Sequence, residues 1–276
     1  MKVILVIVIA VCAVLLLGFL FFVDKGDNVV NNQDAEYNSG ALEEQTIEEN
    51  EIINEAIEDV GTAEISMGFA LQGLGVNIGQ WDKTRNLAGD LIFTKKLLFE
   101  DENILNDWVF VEFGAEGQLK REPSSRNIEY WFHVPLRTDV RAPVGGRVDV
   151  VFFEHTNDWG VNFYPEGSDF IVSFEHVVNL KVQNGDIVKA GDIVGDAAPR
   201  KTFNNEVAMV ELAVWKGGQG VTKYCPFDYL DDSLKPIYEQ KIKRLASDWE
   251  EYIGKDVYAD EKWVSPGCLI EYIKEI

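Results

Sequence analysis

Histidine is scarce in this chain: three residues, His133, His155 and His176, among 276. A hydrolytic metal centre usually draws two or three imidazoles to one point, so this scarcity already narrows metal chemistry. Basic residues are also few, 25 Lys and Arg against 47 Asp and Glu, for a formal net charge of −22. That balance argues against nucleic acid or an anionic membrane surface as a partner. There are three cysteines, and Cys12 lies inside the first apolar segment, which leaves Cys225 and Cys268. No Gly-x-Ser-x-Gly elbow or Cys/His constellation is present. The glycines of GFALQGLG (68–75) come without the lysine and the strand-then-helix context of a phosphate loop.

What is present begins with an uncharged apolar run over residues 3–23. It is long enough to cross a hydrocarbon core of ~30 Å as a helix. A cleaved signal is the competing reading, but its apolar part is shorter and ends at a small-x-small site, which is missing after Phe22. The run predicts an uncleaved anchor. Lys2 before it and acidic residues after it place the N-terminus in the cytoplasm and the rest outside, a single-pass protein of the cell membrane. Residues 24–60 hold twelve acidic residues and one basic one, Lys25, with a single aromatic, Tyr37. That composition predicts a disordered, self-repelling linker. Outside the cytoplasm Cys225 and Cys268 are expected to form a disulfide, a two-cysteine metal site being the alternative.

From about residue 61 to 230 short alternating segments separated by glycine turns predict a mostly β body with its core over 108–218. Strands are expected within 108–117, 127–134, 140–155, 168–178 and 206–218. LKVQNGDIVKAGDIVG (180–195) predicts a hairpin, with turns at Asn184-Gly185 and Ala190-Gly191. In 231–276, apolar residues at Ile237, Tyr238, Ile242, Leu245, Trp249 and Ile253 predict one amphipathic helix, started by an Asp/Ser cap and ended by Gly254.

Such glycine-punctuated hairpins occur in biotinyl or lipoyl carrier domains and in lysostaphin-type (LytM-type) zinc endopeptidases. The carrier reading needs a lysine at a hairpin tip, and Lys189 lies in the wrong turn. VPLRTDVRAPVGGRVDVV (134–151), FIVSFEHVVNLKVQNGDIVKAGDIVG (170–195) and MVELAVWKGG (209–218) resemble, in order, three motif stretches of the lysostaphin-type family. The resemblance implies a barrel-sandwich hybrid-like β domain, the duplicated hybrid motif of peptidoglycan hydrolases. It also implies zinc held by a His, an Asp four residues on, and the second His of His-x-His. Those positions fall here on Asn127, Trp131 and Glu211, with Met209 at the first His of His-x-His. Only the Tyr-x-His position keeps its imidazole, as His176.

Glu129, Trp131, His133 and Glu211 remain as candidate groove or ligand-binding residues, with no metal assigned. Glu211 among apolar neighbours needs a partner if buried. A structural pair with His176 is preferred over a ligand-binding remnant or a true metal site. His133 reads as a strand-end side chain and His155 as a solvated loop residue. Trp131, Phe132, Phe163 and Tyr164 are offered either as aromatics that grip a peptide or glycan or as strand packing. The expectation is a membrane-anchored, non-catalytic module of the cell envelope, needing no cofactor, with an envelope protein, peptide or glycan in its groove. The rivals are a zinc-dependent endopeptidase with a shifted ligand set and a purely structural surface module.

Overall fold

Period-two alternation organises most of the chain that the computed structural model describes, residues 70–100, 105–116, 126–217 and 220–275. The expected anchor (3–23) and acidic linker (24–60) lie outside the described residues. No helix among the described residues is long and apolar enough to cross a membrane. Three small strands come first, β1 (Ile78–Asp82), β2 (Leu87–Gly89) and β3 (Leu91–Ile92), forming one antiparallel sheet. A two-stranded sheet follows, β4 (Phe99–Glu100) with β5 (Leu105–Asn106). The main sheet has eleven strands. Its first half contains β6 (Phe110–Val111), β7 (Tyr130–Val134), β8 (Asp139–Arg141), β9 (Gly146–Phe153) and β10 (Asp158–Tyr164). Its second half contains β11 (Phe170–Val178), β12 (Ile187–Val188), β13 (Ile193–Pro199), β14 (Ala208–Lys216), β15 (Val221–Tyr224) and β16 (Tyr272–Glu275).

β14 is the hub. One of its edges pairs with β11, from Phe170↔Lys216 to Glu175↔Glu211, and then with β13 at Ala198↔Met209. Its other edge pairs with β15 at Val214↔Tyr224 and with β7 from Leu212↔Tyr130 to Ala208↔Val134. All these ladders are antiparallel, so residues opposite one another present side chains to the same face. Val210, Leu212 and Val214 of β14 therefore enter one core with Phe132, Phe163 and Phe174, all fully buried. Each such side chain contributes roughly 1.5–3 kcal/mol through burial. The alternate residues, among them Glu211 and Trp215, fall on the opposite face, where the polar groups collect.

The α-helix described, α1 (Lys235–Ile253), buries Ile242, Leu245, Ala246 and Trp249. Trp249 meets Phe93 edge-on at 5.2 Å and donates from its indole N–H to the Asp107 carbonyl at 2.8 Å. Gly254 ends the helix at φ 71°, its N–H donating to the Glu250 carbonyl, as a left-handed C-terminal cap does. The expected Asp/Ser cap is not used. Ser233 donates to Asp231 in a separate turn, which leaves Leu234 at the cap without a side-chain bond. Ile237 is half exposed because it lies on the first turn, ahead of the buried stretch of α1.

Cys225 and Cys268 form a disulfide, Cα atoms 6.0 Å apart, with both residues fully buried. It ties the tail to the sheet beside β16, which pairs with β15.

The hairpin at 180–195 needs correction. Its two turns form, with Gly185 at φ 89° and Gly191 at φ 88°, conformations that favour glycine. The segments between them do not pair with one another. Ile187 and Val188 pair with Arg147 and Gly146 of β9, and Ile193 pairs with Arg141 of β8. Leu180–Gln183 is not a strand. Asn184 seals the arrangement by accepting from the Val150 N–H at 2.6 Å. The strand expected over 108–117 shrinks to Phe110–Val111, because Phe113 bonds to the Gly267 carbonyl of the tail and Gly114 turns at φ 83°.

Candidate functional site

The polar face of the sheet is built around a bulge. Val161 of β10 faces Phe174 of β11, but Trp159 faces Val177, so Glu175 and His176 together oppose Gly160. His176 adopts φ 64°, rare for a side chain of its size. The extra residue turns His176 onto the face that Glu175 already occupies. Ligating atoms of Glu175, His176 and Glu211 consequently lie within 4.8 Å of one another.

Each ring nitrogen of His176 has a partner. Nδ1 lies 2.7 Å from Asp158 Oδ2, and Thr156 donates to the other oxygen of that carboxylate at 2.6 Å. Nε2 lies 2.7 Å from an Arg200 guanidinium nitrogen and 3.3 Å from Glu211 Oε1. Burial opposes charge on the ring, but bonds to Asp158 and Glu211 outweigh it and push His176 up to about 9. Arg200 resists this. A guanidinium only donates, so its contact belongs to the neutral Nδ1–H tautomer, whereas Glu211 is the partner of the protonated ring. Asp158 is itself held low, burial being overcome by the bonds from His176 and Thr156.

A second layer of carboxyls lies beside this one. Lys223 of β15 donates to Glu129 at 3.0 Å. Glu129 also shares a hydrogen bond with Glu211, which requires one proton between them. Burial first, then the Glu211 charge, raise Glu129 to about 8 against the pull of Lys223. Glu211 is lowered despite its burial, through His176 and Glu129. Glu175 is raised by burial and by Glu211.

His133 is on β7, opposite Met209. Its ring meets Phe203 edge-on at 5.1 Å, and its Nδ1 has no hydrogen-bond partner among the described residues. Burial and then the Arg200 charge lower it to about 4, so it stays neutral.

Of the residues singled out by sequence, His176 and Glu211 meet directly, and Glu129 joins them through Glu211. Trp131 is half-buried and paired with Glu211 across the ladder. Asn127 is a buried strut whose amide donates to the Glu112 and Glu129 carbonyls. His155 is an exposed turn residue. Phe132 and Phe163 are core residues with no exposed surface, so neither grips a ligand. Tyr164 is half-buried, with the Arg147 guanidinium 4.4 Å from its ring centre.

Sequence reading missed Asp158, Glu175, Arg200 and Lys223. Glu175 was visible as the neighbour of His176, and Asp158 as the end of a Thr-Asn-Asp turn. Nothing local marks Arg200 or Lys223.

Two clefts open near this cluster. One, of about 210 Å³, is lined by Phe153, Asn162, Ser173, Glu175, Trp215 and Lys223 among others. Gly160 is needed there: a Cβ would come within 2.9 Å of the Phe153 ring. The other, of about 100 Å³, lies on the Asp158 and Arg200 side.

The zinc that the family resemblance implies does not fit these residues. Asp158 and Arg200 already engage the two imidazole nitrogens, and the guanidinium places a fixed positive charge against the nitrogen that would coordinate. Glu211 is shared between His176 and Glu129.

No family model matches the sequence, and no curated protein matches it. Solved structures similar to the chain include M23 or LytM-type peptidase domains and SpoIIQ complexes. A variant catalytic domain of the prophage-encoded M23 protein EnpA from Enterococcus faecalis is 24% identical, with 40% of this chain and 82% of that one covered at a TM-score of 0.32. The catalytic domain of lysostaphin from Staphylococcus simulans is 16% identical, covering 39% and 78% at 0.34. A chain of the SpoIIQ–SpoIIIAH pore-forming complex is 15% identical, covering 50% and 98% at 0.34.

Proposed function

We propose that this chain is a peptidase-like module of the cell envelope that binds in its groove and does not hydrolyse. The observation that carries the reading is the Arg200 guanidinium seated 2.7 Å from His176 Nε2. In the neutral ring Nε2 accepts from Arg200, and in the protonated ring it carries a proton towards Glu211, so in neither form does it offer a lone pair to a metal or to a water. In this reading the buried carboxyls, His176, Arg200 and Lys223 form a fixed polar floor, and the flanking clefts hold the ligand. Residues 3–23 anchor the chain, and residues 24–60 hold the domain off the bilayer. The partner is an envelope protein, peptide or glycan.

A second reading has one observation in its favour, the convergence of Glu175, His176 and Glu211. There the chain is a metallopeptidase with a shifted ligand set, and Arg200 must swing away.

Elemental analysis of the full chain, equilibrated with zinc and freed of excess, separates the two. The binding module retains only substoichiometric zinc, and Arg200→Ala does not change that. Near-stoichiometric zinc that is lost in Glu211→Ala would establish the metallopeptidase instead.

A further inference from the structure

The smaller cleft, of about 100 Å³, brings together His155, Thr156, Asp158, Arg200, Lys201 and Thr202. Neither Arg200 nor Lys201 has a carboxylate within 4.0 Å among the described residues, in a chain whose acids outnumber its bases almost two to one. Asp158, the acid in the cleft, is already committed to His176 and Thr156. The Arg200 side chain makes one hydrogen bond among the described residues, to His176 Nε2. A guanidinium has five donors in a planar fork that matches two oxygens of one anion. Lys201 is exposed beside it, as is Thr202, whose hydroxyl makes no hydrogen bond among the described residues.

The backbone holds these groups in place. Pro199 closes β13 against Ala208 of β14. The Arg200 N–H donates to the Val207 carbonyl, and the Arg200 carbonyl accepts from Phe203 and Asn205. Phe203, on the same turn, is buried against His133. The turn therefore presents Arg200 and Lys201 from a fixed frame.

We propose that this cleft is an oxyanion site, sized for one carboxylate or phosphate group of a ligand bound in the groove. It has the donors and charge such a group needs. The inference rests on the reading of the groove as a binding surface and names the chemistry recognised at one end of it. An anion bound there competes with His176 Nε2 for Arg200. As the guanidinium turns to the anion, His176 is left to Glu211 at 3.3 Å. Occupancy of the cleft is thus transmitted to the buried carboxyl layer.

The three histidines make the test direct, since His155 lines the cleft, His176 touches Arg200 and His133 is on β7. Imidazole resonances of the full chain are followed by NMR while phosphate, acetate, N-acetylalanine or N-acetylalanine amide is added at constant ionic strength, with chloride as control. The expected result is a saturable shift of His155 and His176 with an oxyanion and none with chloride or the amide. Phosphate alone saturating assigns the site to a phosphorylated ligand; acetate and N-acetylalanine saturating assigns it to a carboxylate terminus. Lys201→Gln, an exposed change, is expected to weaken binding about tenfold through loss of a charge-assisted contact, without altering the thermal transition. Shifts that are linear, shared with chloride or indifferent to Lys201→Gln would overturn the site. Zinc content is measured separately. A zinc-free chain without oxyanion binding loses this inference alone, and a zinc-loaded chain with oxyanion binding loses the proposed function alone.

Discussion

Asp158 and His176, eighteen residues apart on two paired strands, meet through a 2.7 Å contact that is almost completely buried. The carboxylate fixes the tautomer of a ring whose other nitrogen is contested by Arg200 and Glu211. Asp158→Asn keeps the shape and removes the charge. His176, raised to about 9 in the native protein, is expected to titrate lower in that variant, as read from its imidazole resonances. Stability is expected to fall by about 1–3 kcal/mol, the loss of a buried bond to a charged group.

The same ring shapes stability against pH. The folded-state pKa of His176 lies above its unfolded value of about 6.5, so the folded chain binds the extra proton more tightly. The stabilisation is complete below the unfolded value and is lost as pH rises through about 9. Urea unfolding between pH 6.5 and 9.5 should show that decline, and His176→Gln should flatten it. An unchanged slope in the variant would assign the decline to Glu129, raised to about 8.

Glu112 offers a separate test, away from the groove. It is buried, accepts a bond from the Trp263 indole, and is raised to about 7, first by burial and then by Asp260, Glu250 and Glu261, against the pull of that bond. A carboxyl with a raised folded pKa costs stability as it ionises, here between about pH 4.5 and 7. Glu112→Gln keeps an acceptor for Trp263 and is expected to be more stable than the parent at pH 8. The gain is on the order of 3 kcal/mol, measured by denaturant melts at both ends of the window.

The disulfide closes a separation of 43 residues. Its removal in the double variant Cys225→Ser with Cys268→Ser is expected to cost about 4 kcal/mol by the chain-entropy estimate. The tail beyond Tyr258 should become the first site of limited proteolysis, since among the described residues β16 pairs with β15 only, at the edge of the sheet.

Two aromatics that sequence reading treated alike should behave differently. Phe163→Ala empties a fully buried position against Phe174 and is expected to cost about 3–5 kcal/mol. Trp131→Ala, at a half-buried site on the polar face, should cost less. Thermal melts of the two variants provide the comparison.

The alternation of AMVELAVWK, the glycine turns at 185 and 191 and the apolar stripe of α1 were legible in the sequence, because each expresses a local period or a backbone requirement. The sequence suggested the contact of His176 with Glu211 through the cost of burying a carboxylate, and the fold supplied it through the β11–β14 register. Other features were decided only in three dimensions. A single bulge residue, invisible to periodicity, put Glu175 and His176 on one face. Strand order brought Asp158, Lys223 and Arg200 to them from three different segments. Pairing over long sequence distances placed the strands of the expected hairpin against β9 and β8. Local spacing encodes which face a side chain takes, but long-range pairing decides which faces meet, and the chemistry of this groove is made of those meetings.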